Sequence, residues 1–378
     1  MERIKIMHCA DLHLGAEENL LKSQSKSRRF ETLLTFERAI KEAQKREVKI
    51  VLIAGDLLDS NYIEEEFVSG IFSAVKSAKD MEFVFSAGNH DPLNYSSPFL
   101  KISDIPDNFH ILSTSGENIK FEDLKTCVFG SSFKEAFSSE PLFIPVDIDD
   151  EHINIMCVHG ELSGAKGGNY NSITESDIAN SKADYAALGH IHKRSDILRA
   201  GNTFYAYSGS IEGHGFDETG EKGVYIGEIG KRYCDLEFVS VALREYVYLK
   251  ADISEALDER SAAEIILNKL NCEFGLNYEK NLYKIDLTGS IGEEVRLNLD
   301  EITVRLKEKL YFVKLRDKTE TKTDLKLLSN ENTLKGKFVK KMLEMIESAD
   351  GNEKELYEAA LNIGLKAFTQ EVKFNEDQ

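Results

Sequence analysis

Long apolar runs are missing from this 378-residue sequence. None approaches the roughly 18 residues of a membrane-crossing helix, and the opening MERIKIMHCADLH lacks the charged-then-apolar order of a signal peptide. A cytoplasmic protein with no membrane partner is expected. Cysteine is scarce: Cys9, Cys127, Cys157, Cys234 and Cys272 are odd in number, scattered and without a C-x-x-C pair, which leaves neither a disulfide framework nor a zinc knuckle supported. Only 5 prolines occur beside 42% hydrophobic and 30% charged residues, which excludes a collagen-like or disordered chain. Positive charge is also in short supply. The formal net charge of −19 argues against a protein that coats nucleic acid, but not against an enzyme that meets phosphates through a local basic patch. Residues 1–240 carry 25 basic and 39 acidic side chains and residues 241–378 carry 22 and 27, so the acidity gathers at the front.

What is present is a packed α/β pattern long enough for two or three domains. RIKIMHC and VKIVLIA read as buried strands flanking a helix from Phe30 to Arg46, a βαβ unit. A helix over about 64–79 and the strand EFVFSA repeat the alternation, and TCVFG, INIMCV and YAAL supply further strands. A layered α/β domain follows. TFYAYSG, GVYIGEI and YCDLEFVSV read as successive antiparallel strands that close a first domain, 1–240. Residues 241–330 read as a small α+β domain: strand 244–253, helix 259–270, strand 282–288, helix 298–309, strand 311–316. Residues 331–378 read as a helical hairpin. Leu334, Phe338, Met342, Met345 and Ile346 form one stripe, and Tyr357, Ala360, Leu361, Gly364, Leu365 and Phe368 another, with Asp350 placed to cap the second helix.

Five of the nine histidines fall in four short motifs that also hold Asp, Asn or Gly at strand ends. The set is Asp11-Leu12-His13, Gly55-Asp56, Gly88-Asn89-His90-Asp91, His159-Gly160 and Gly189-His190-Ile191-His192, the second motif holding no histidine. Each motif follows a strand, so the polar groups should emerge together at the carboxyl edge of a sheet. Oxygen and nitrogen donors without thiolate suit Mn²⁺, Fe²⁺ or Zn²⁺. Seven donors are too many for one ion; two ions about 3.5–4 Å apart sharing one carboxylate use them, and such a pair clamps the attacking and leaving oxygens of a phosphoryl displacement.

D-x-H, GD, GNHD, H-G and G-H-x-H in this order over roughly 180 residues resemble the calcineurin-like metallophosphoesterase superfamily. HCADLHLG and the segment Tyr207–Ile229 resemble the SbcD-type DNA repair exonucleases, in their YhaO-like bacterial branch. The resemblance implies a layered αββα sandwich with a small α+β capping domain that recognises DNA and a C-terminal helical segment for partner docking. It implies two divalent ions, Mn²⁺ foremost: one held by Asp11, His13, Asp56 and His192, the other by Asp56, Asn89, His159 and His190. His90 then faces the scissile phosphate as a catalytic residue, and Asp91 orients it through its other ring nitrogen. A homodimer that digests DNA, duplex ends or single strands, alongside an SbcC-like coiled-coil ATPase is the implied assembly. A cyclic-nucleotide-type phosphodiesterase and a weakly active scaffold that regulates an ATPase are the alternatives.

Asp59 stands where archaeal and eukaryotic relatives carry a histidine, and Ser208 replaces a usual proline. His8 alternates away from the site and reads as structural; His110 and His152 read as solvated surface. His214, in GHGFDETG, reads equally as a substrate contact or a plain loop residue. Arg305–Lys341, with 12 lysines and arginines, is the most basic long segment and the candidate DNA contact, Lys314 and Arg316 foremost.

Overall fold

The computed structural model describes residues 2–138, 151–163, 168–292, 295–322 and 324–368. The chain divides into two compact units: Met1–Leu249, Leu276–Lys284 and Lys309–Lys314 make up the first, and Lys250–Gly275, Ile285–Glu308 and Leu315–Gln378 the second.

In the first unit the β-branched runs become strands. β1 (Arg3–Cys9), β2 (Ile50–Ile53), β3 (Glu82–Phe85) and β4 (Phe109–Ile111) lie parallel in that order. α1 (Ser25–Lys45) and α2 (Glu65–Lys76) fill the first two connections. A second sheet holds β5 (Glu117–Phe121), β6 (Thr126–Gly130), β7 (Ile153–His159), β8 (Tyr185–Gly189), β9 (Leu198–Ala200) and β10 (Thr203–Tyr207), with α3 (Glu175–Asn180) between β7 and β8. Its order is β5-β6-β7-β8-β10-β9. The chain then returns to the first sheet, where β11 (Gly223–Gly230) pairs antiparallel with β1 and β12 (Tyr233–Ser240) with β11. TFYAY is therefore not the first of three successive antiparallel strands. As β10 it runs parallel to β8 in the other sheet, because strand propensity does not choose the neighbour a strand will pair with.

Period-2 alternation sorts the side chains into layers. Ile4, Ile6, Ile50, Leu52 and Val84 meet Val128, Ile155, Cys157, Tyr185 and Ala187 between the sheets. The opposite face of the first sheet (Met7, Val51, Ile53, Phe83, Phe85) packs on Phe36, Ile40, Phe67 and Ile71 of α1 and α2. The outer face of the second (Met156, Val158, Ala186, Leu188, Tyr205) packs on Ile178 of α3. The result is the αββα sandwich. His8 is buried between the sheets with Nδ1 2.8 Å from the Tyr185 hydroxyl and Nε2 3.2 Å from the Leu188 carbonyl, a structural role. His110 and His152 are less solvated than expected, with Nε2 2.8 Å from Glu82 and 3.2 Å from Glu122 respectively.

β13 (Tyr246–Asp252), β14 (Leu282–Thr288) and β16 (Phe312–Asp317) form a three-stranded sheet, and β15 (Ser290–Gly292) pairs with β17 (Glu320–Lys322). Within the second unit α4 (Glu259–Phe274) starts at a capping box of Asp258 and Ser261, and α5 (Leu299–Lys307) is capped by Asn298. Asp286, fully buried, accepts from Arg316 at 2.7 Å and pairs with Lys318 at 2.6 Å, so Arg316 neutralises a core carboxylate. α6 (Leu325–Ser329), α7 (Leu334–Ser348) and α8 (Asn352–Ala367) share a cluster of Leu328, Val339, Met342 and Leu361. The two C-terminal stripes thus meet each other. Lys354 and Glu355 donate to the Gly351 carbonyl, which puts Gly351 rather than Asp350 at the start of α8.

Candidate metal centre

The polar motifs lie on turns at the carboxyl ends of β1, β2, β3, β7 and β8. The Asp11-Leu12-His13 turn runs beside Gly55-Asp56-Leu57: Asp11 N–H donates to Gly55 O (3.1 Å), His13 N–H to Asp56 O (3.0 Å) and Leu14 N–H to Leu57 O (3.0 Å). Four of the proposed ligands occupy the left-handed backbone region: Asp11 (φ 51°), His13 (43°), Asp56 (49°) and His190 (101°). Non-glycine residues are held there only where the surroundings over-determine them, and such strain clusters at functional sites. Gly88 is required for a different reason. A Cβ on it would stand 2.1 Å from Asp56 Oδ1.

The structure brings Asp11, His13, Asp56, Asn89, His159, His190 and His192 together. Three groups of ligand atoms lie mutually close: Asp11, His13 and His192; Asp11, Asp56 and His159; and His13, Asp56 and the exposed His90. Asp56 belongs to the last two, with Oδ2 3.7 Å from His13 Nε2 and 3.3 Å from His159 Nε2, while its Oδ1 accepts from His90 N–H at 2.9 Å. The Asn89 side-chain oxygen is 3.0 Å from His159 Nε2 and 3.2 Å from His190 Nδ1. Asp11, Asp56 and His159 are at most 2% exposed.

These donors call for a cation. His159 Nδ1 faces the Ala54 carbonyl at 2.9 Å, which can only accept, so Nδ1 carries a proton and Nε2 is the nitrogen that faces Asp56 and Asn89 oxygens. His192 Nδ1 donates to Glu218 at 2.7 Å, and His13 Nδ1 lies 3.4 Å from an Asp59 oxygen. The two Nε2 atoms face each other across 3.1 Å, so a shared proton or a metal ion lies between them. A proton satisfies such contacts, and a divalent ion would take its place. The carboxylates favour positive charge on the rings: burial pulls His159 down, yet Asp56 and Asp11 lift it to about 9, and His13 rises to about 8 against its burial through Asp59, Asp56 and Asp11. Burial opposes the charge on Asp56, but the imidazoles of His159, His13 and His90 hold its carboxyl well below the usual range. The oxygen and nitrogen donor set fits two divalent ions.

His90 stands at the rim, its side chain 45% exposed, with Nδ1 3.0 Å from the Asp59 carbonyl. That carbonyl, not Asp91, orients the ring. Asp91 is fully buried and accepts from Gly88 N–H (2.8 Å) and Leu58 N–H (3.0 Å), so it ties the β3 turn to the β2 turn. Burial, then the charge of Asp56, pushes its carboxyl up to about 7. Consecutive side chains in a turn need not share a direction, which is why adjacency to His90 misleads here. His214 packs its ring 5.6 Å from that of His13, with both nitrogens lacking a hydrogen-bond partner among the described residues; burial, then His13, pulls it down to about 3. Glu218 is the site residue that sequence reasoning missed. It lies 26 positions beyond His192, and the signal available was its place in the glycine-rich Tyr207–Ile229 segment.

Comparison with known proteins agrees with this geometry. YhaO of Bacillus subtilis, described as an uncharacterized metallophosphoesterase, is 28% identical over 249 residues, 62% of this chain and 60% of that protein's length. The SbcD component of the nuclease SbcCD from Staphylococcus epidermidis is 24% identical over 295 residues, 68% of this chain and 75% of that component. The DNA double-strand break repair protein Mre11 of Methanopyrus kandleri is 25% identical over 360 residues, 87% of this chain and 76% of that protein. The family model for calcineurin-like phosphoesterases matches residues 4–194, just over half of the sequence and the stretch that holds all seven converging donors, and the chain belongs to that family.

Proposed function

We propose that this protein is a metal-dependent phosphodiesterase that hydrolyses DNA, with two divalent ions, Mn²⁺ in the cell, held by Asp11, His13, Asp56 and His192 on one side and by Asp56, Asn89, His159 and His190 on the other. The observation that carries the reading is the convergence of the His13, His192 and His159 Nε2 atoms on one another or on Asp56 at 3.1–3.7 Å. Similarity to proteins named for nuclease action and double-strand break repair supports DNA as the substrate. Two such ions supply Lewis acidity toward phosphate oxygens and lower the pKa of a water. The chain's own residues do the rest. Asp56 holds both donor groups in register, and the backbone N–H of His90 fixes the Asp56 carboxylate. With Nδ1 of His90 committed to the Asp59 carbonyl, Nε2 is the nitrogen that gives a proton to a departing sugar oxygen.

Among the described residues no helix is long and apolar enough to cross a membrane. In this reading the protein works on DNA in the cytoplasm: residues 1–240 are the nuclease domain, 241–330 a capping domain that recognises DNA and 331–378 a hairpin that docks on an SbcC-like ATPase, the whole forming a homodimer. Leu334 and Leu356, 77% and 63% exposed on α7 and α8, remain available for docking. Duplex and single-stranded DNA and a cyclic nucleotide, each offered with and without Mn²⁺, test the substrate. DNA hydrolysis should dominate. His90→Ala should keep both ions by elemental analysis while turnover falls about 10²–10⁴-fold, and preference for the cyclic nucleotide, or loss of the ions from His90→Ala, would overturn the reading.

A further inference from the structure

The two donor groups share Asp56 but differ in what stands behind them. On the His13/His192 side each imidazole is backed by a carboxylate. Glu218 Oε1 accepts from His192 Nδ1 at 2.7 Å, and Asp59 Oδ1 lies 3.4 Å from His13 Nδ1. Glu218 is itself fixed. Its Oε2 accepts from Ser210 Oγ at 3.2 Å and lies 3.5 Å from Lys222 Nζ, which also donates to the His192 carbonyl at 3.0 Å. Two carboxylates against one ammonium leave a net negative charge behind this group, whereas Asp11 and Asp56 lie against both groups. On the His159/His190 side the hydrogen-bond partner of His159 Nδ1 is the neutral Ala54 carbonyl at 2.9 Å, with Asp11 Oδ1 farther off at 3.9 Å, and the Tyr170 ring lies 5.0 Å from the His190 ring.

A carboxylate on the outer nitrogen of a ligating imidazole fixes the tautomer and raises the basicity of the inner nitrogen, and charge count sets the affinity of a site for a hard cation. From the unequal backing we infer that the two subsites load in sequence, the His13/His192 subsite first and more tightly, with Glu218 and Asp59 as the positioning residues that set its affinity. The inference rests on the dinuclear reading above. It assigns the His159/His190 subsite to the ion that exchanges, so the supply of free metal controls assembly of the pair.

The test is calorimetric titration of the full chain, stripped with chelator, with MnCl₂, read in parallel by electron paramagnetic resonance. Wild type should bind in two steps. One equivalent should give the spectrum of an isolated Mn²⁺, and a second should give a spin-coupled pair. Glu218→Gln, which keeps the side chain's shape, should weaken the first step by about 10–100-fold and leave the second unchanged, and Asp59→Asn should act on the same step. His190→Gln should abolish the second step alone. Two equal steps in wild type, or a Glu218→Gln effect on the second step or on neither, would refute sequential loading while leaving a dinuclear centre standing. A wild-type chain that bound fewer than two ions would remove the dinuclear reading itself.

Discussion

Replacing Arg28 by methionine should destabilise the first unit by about 3–5 kcal/mol at pH 8, and by less at pH 5. Arg28 is fully buried on α1. It donates to Glu18 (3.1 Å), Glu31 (3.0 Å), Glu212 (2.7 Å) and the Gly213 carbonyl (3.1 Å), and so joins the turn after β1 to the segment that carries His214 and Glu218. Three carboxylates face two guanidinium groups, the second being Arg244, which holds Glu31 through bonds of 2.8 and 2.7 Å. Methionine fills the space but removes the charge. Glu31 keeps Arg244; Glu18 and Glu212 are left buried without a cation, and breaking a buried pair on one side carries the cost given above. Burial already holds the Glu18 carboxyl above its usual range, with Arg28 the largest opposing influence. Without Arg28 it rises further. A carboxyl raised above its unfolded value near 4.3 contributes stability that is complete below that value and lost as pH climbs through the folded one. The deficit of the variant therefore grows from pH 5 to pH 8. Urea unfolding followed by circular dichroism at both pH values gives the difference directly. A deficit under about 1 kcal/mol at pH 8, the scale of an exposed pair, or the same deficit at both pH values, would refute the argument.

Two further outcomes follow from single contacts. Gly88→Ala places a methyl where Asp56 Oδ1 now lies, so it should displace the shared carboxylate and weaken Mn²⁺ binding by about 10–100-fold while far-UV circular dichroism stays unchanged; wild-type affinity in calorimetry would show that the turn yields instead. Burial holds His8 down at about 3, so its neutral form supports the fold fully above pH 6.5 and that support is lost as pH falls toward 3; His8→Gln should flatten this part of the stability curve in urea titrations at pH 7, 5.5 and 4.5, and parallel curves for the two proteins would count against it.

The strands before Asp11, Asp56, Asn89 and His190 could be read because each is a short apolar run ending in a polar turn, and convergence follows once the runs share parallel sheets. Pairing beyond the βαβ unit could not be read this way. Nothing local in TFYAY tells whether it will join β8 or β11, since both offers satisfy the same propensity. The same limit hid Glu218. Its partner His192 lies on the loop after β8, and only the passage of the chain from the second sheet back to the first brings the two within 2.7 Å. Asp91 failed for the opposite reason: it is near His90 in sequence, but its oxygens are committed to two backbone N–H groups in the turns beneath. In the second unit α4 and α5 each begin at a side-chain cap that the sequence displays, whereas β15, β17 and α6 were not read and α8 starts at Gly351 instead of Asp350.

Four left-handed residues and a cluster of buried carboxylates and imidazoles meet at one edge of this fold, and the layers beneath explain how they persist. Asp11, His13 and Asp56 are forced into the left-handed region by three hydrogen bonds between the turns after β1 and β2. Those turns leave strands whose side chains are buried on both faces, between the sheets and under α1 and α2. The strands cannot shift to relax the turns without opening both layers, and close-packed layers do not deform gradually. A cation would gather the converging nitrogens and carboxylates but would not relieve the backbone strain, since the latter comes from hydrogen bonds that no metal touches. Donor positions are therefore set by the sandwich before any ion arrives, unlike a zinc finger, whose ligands are gathered by the metal itself. The seven converging side chains depend on the sheets for their geometry, and in the proposed loading order Glu218 and Asp59 would adjust only how strongly one half of them binds.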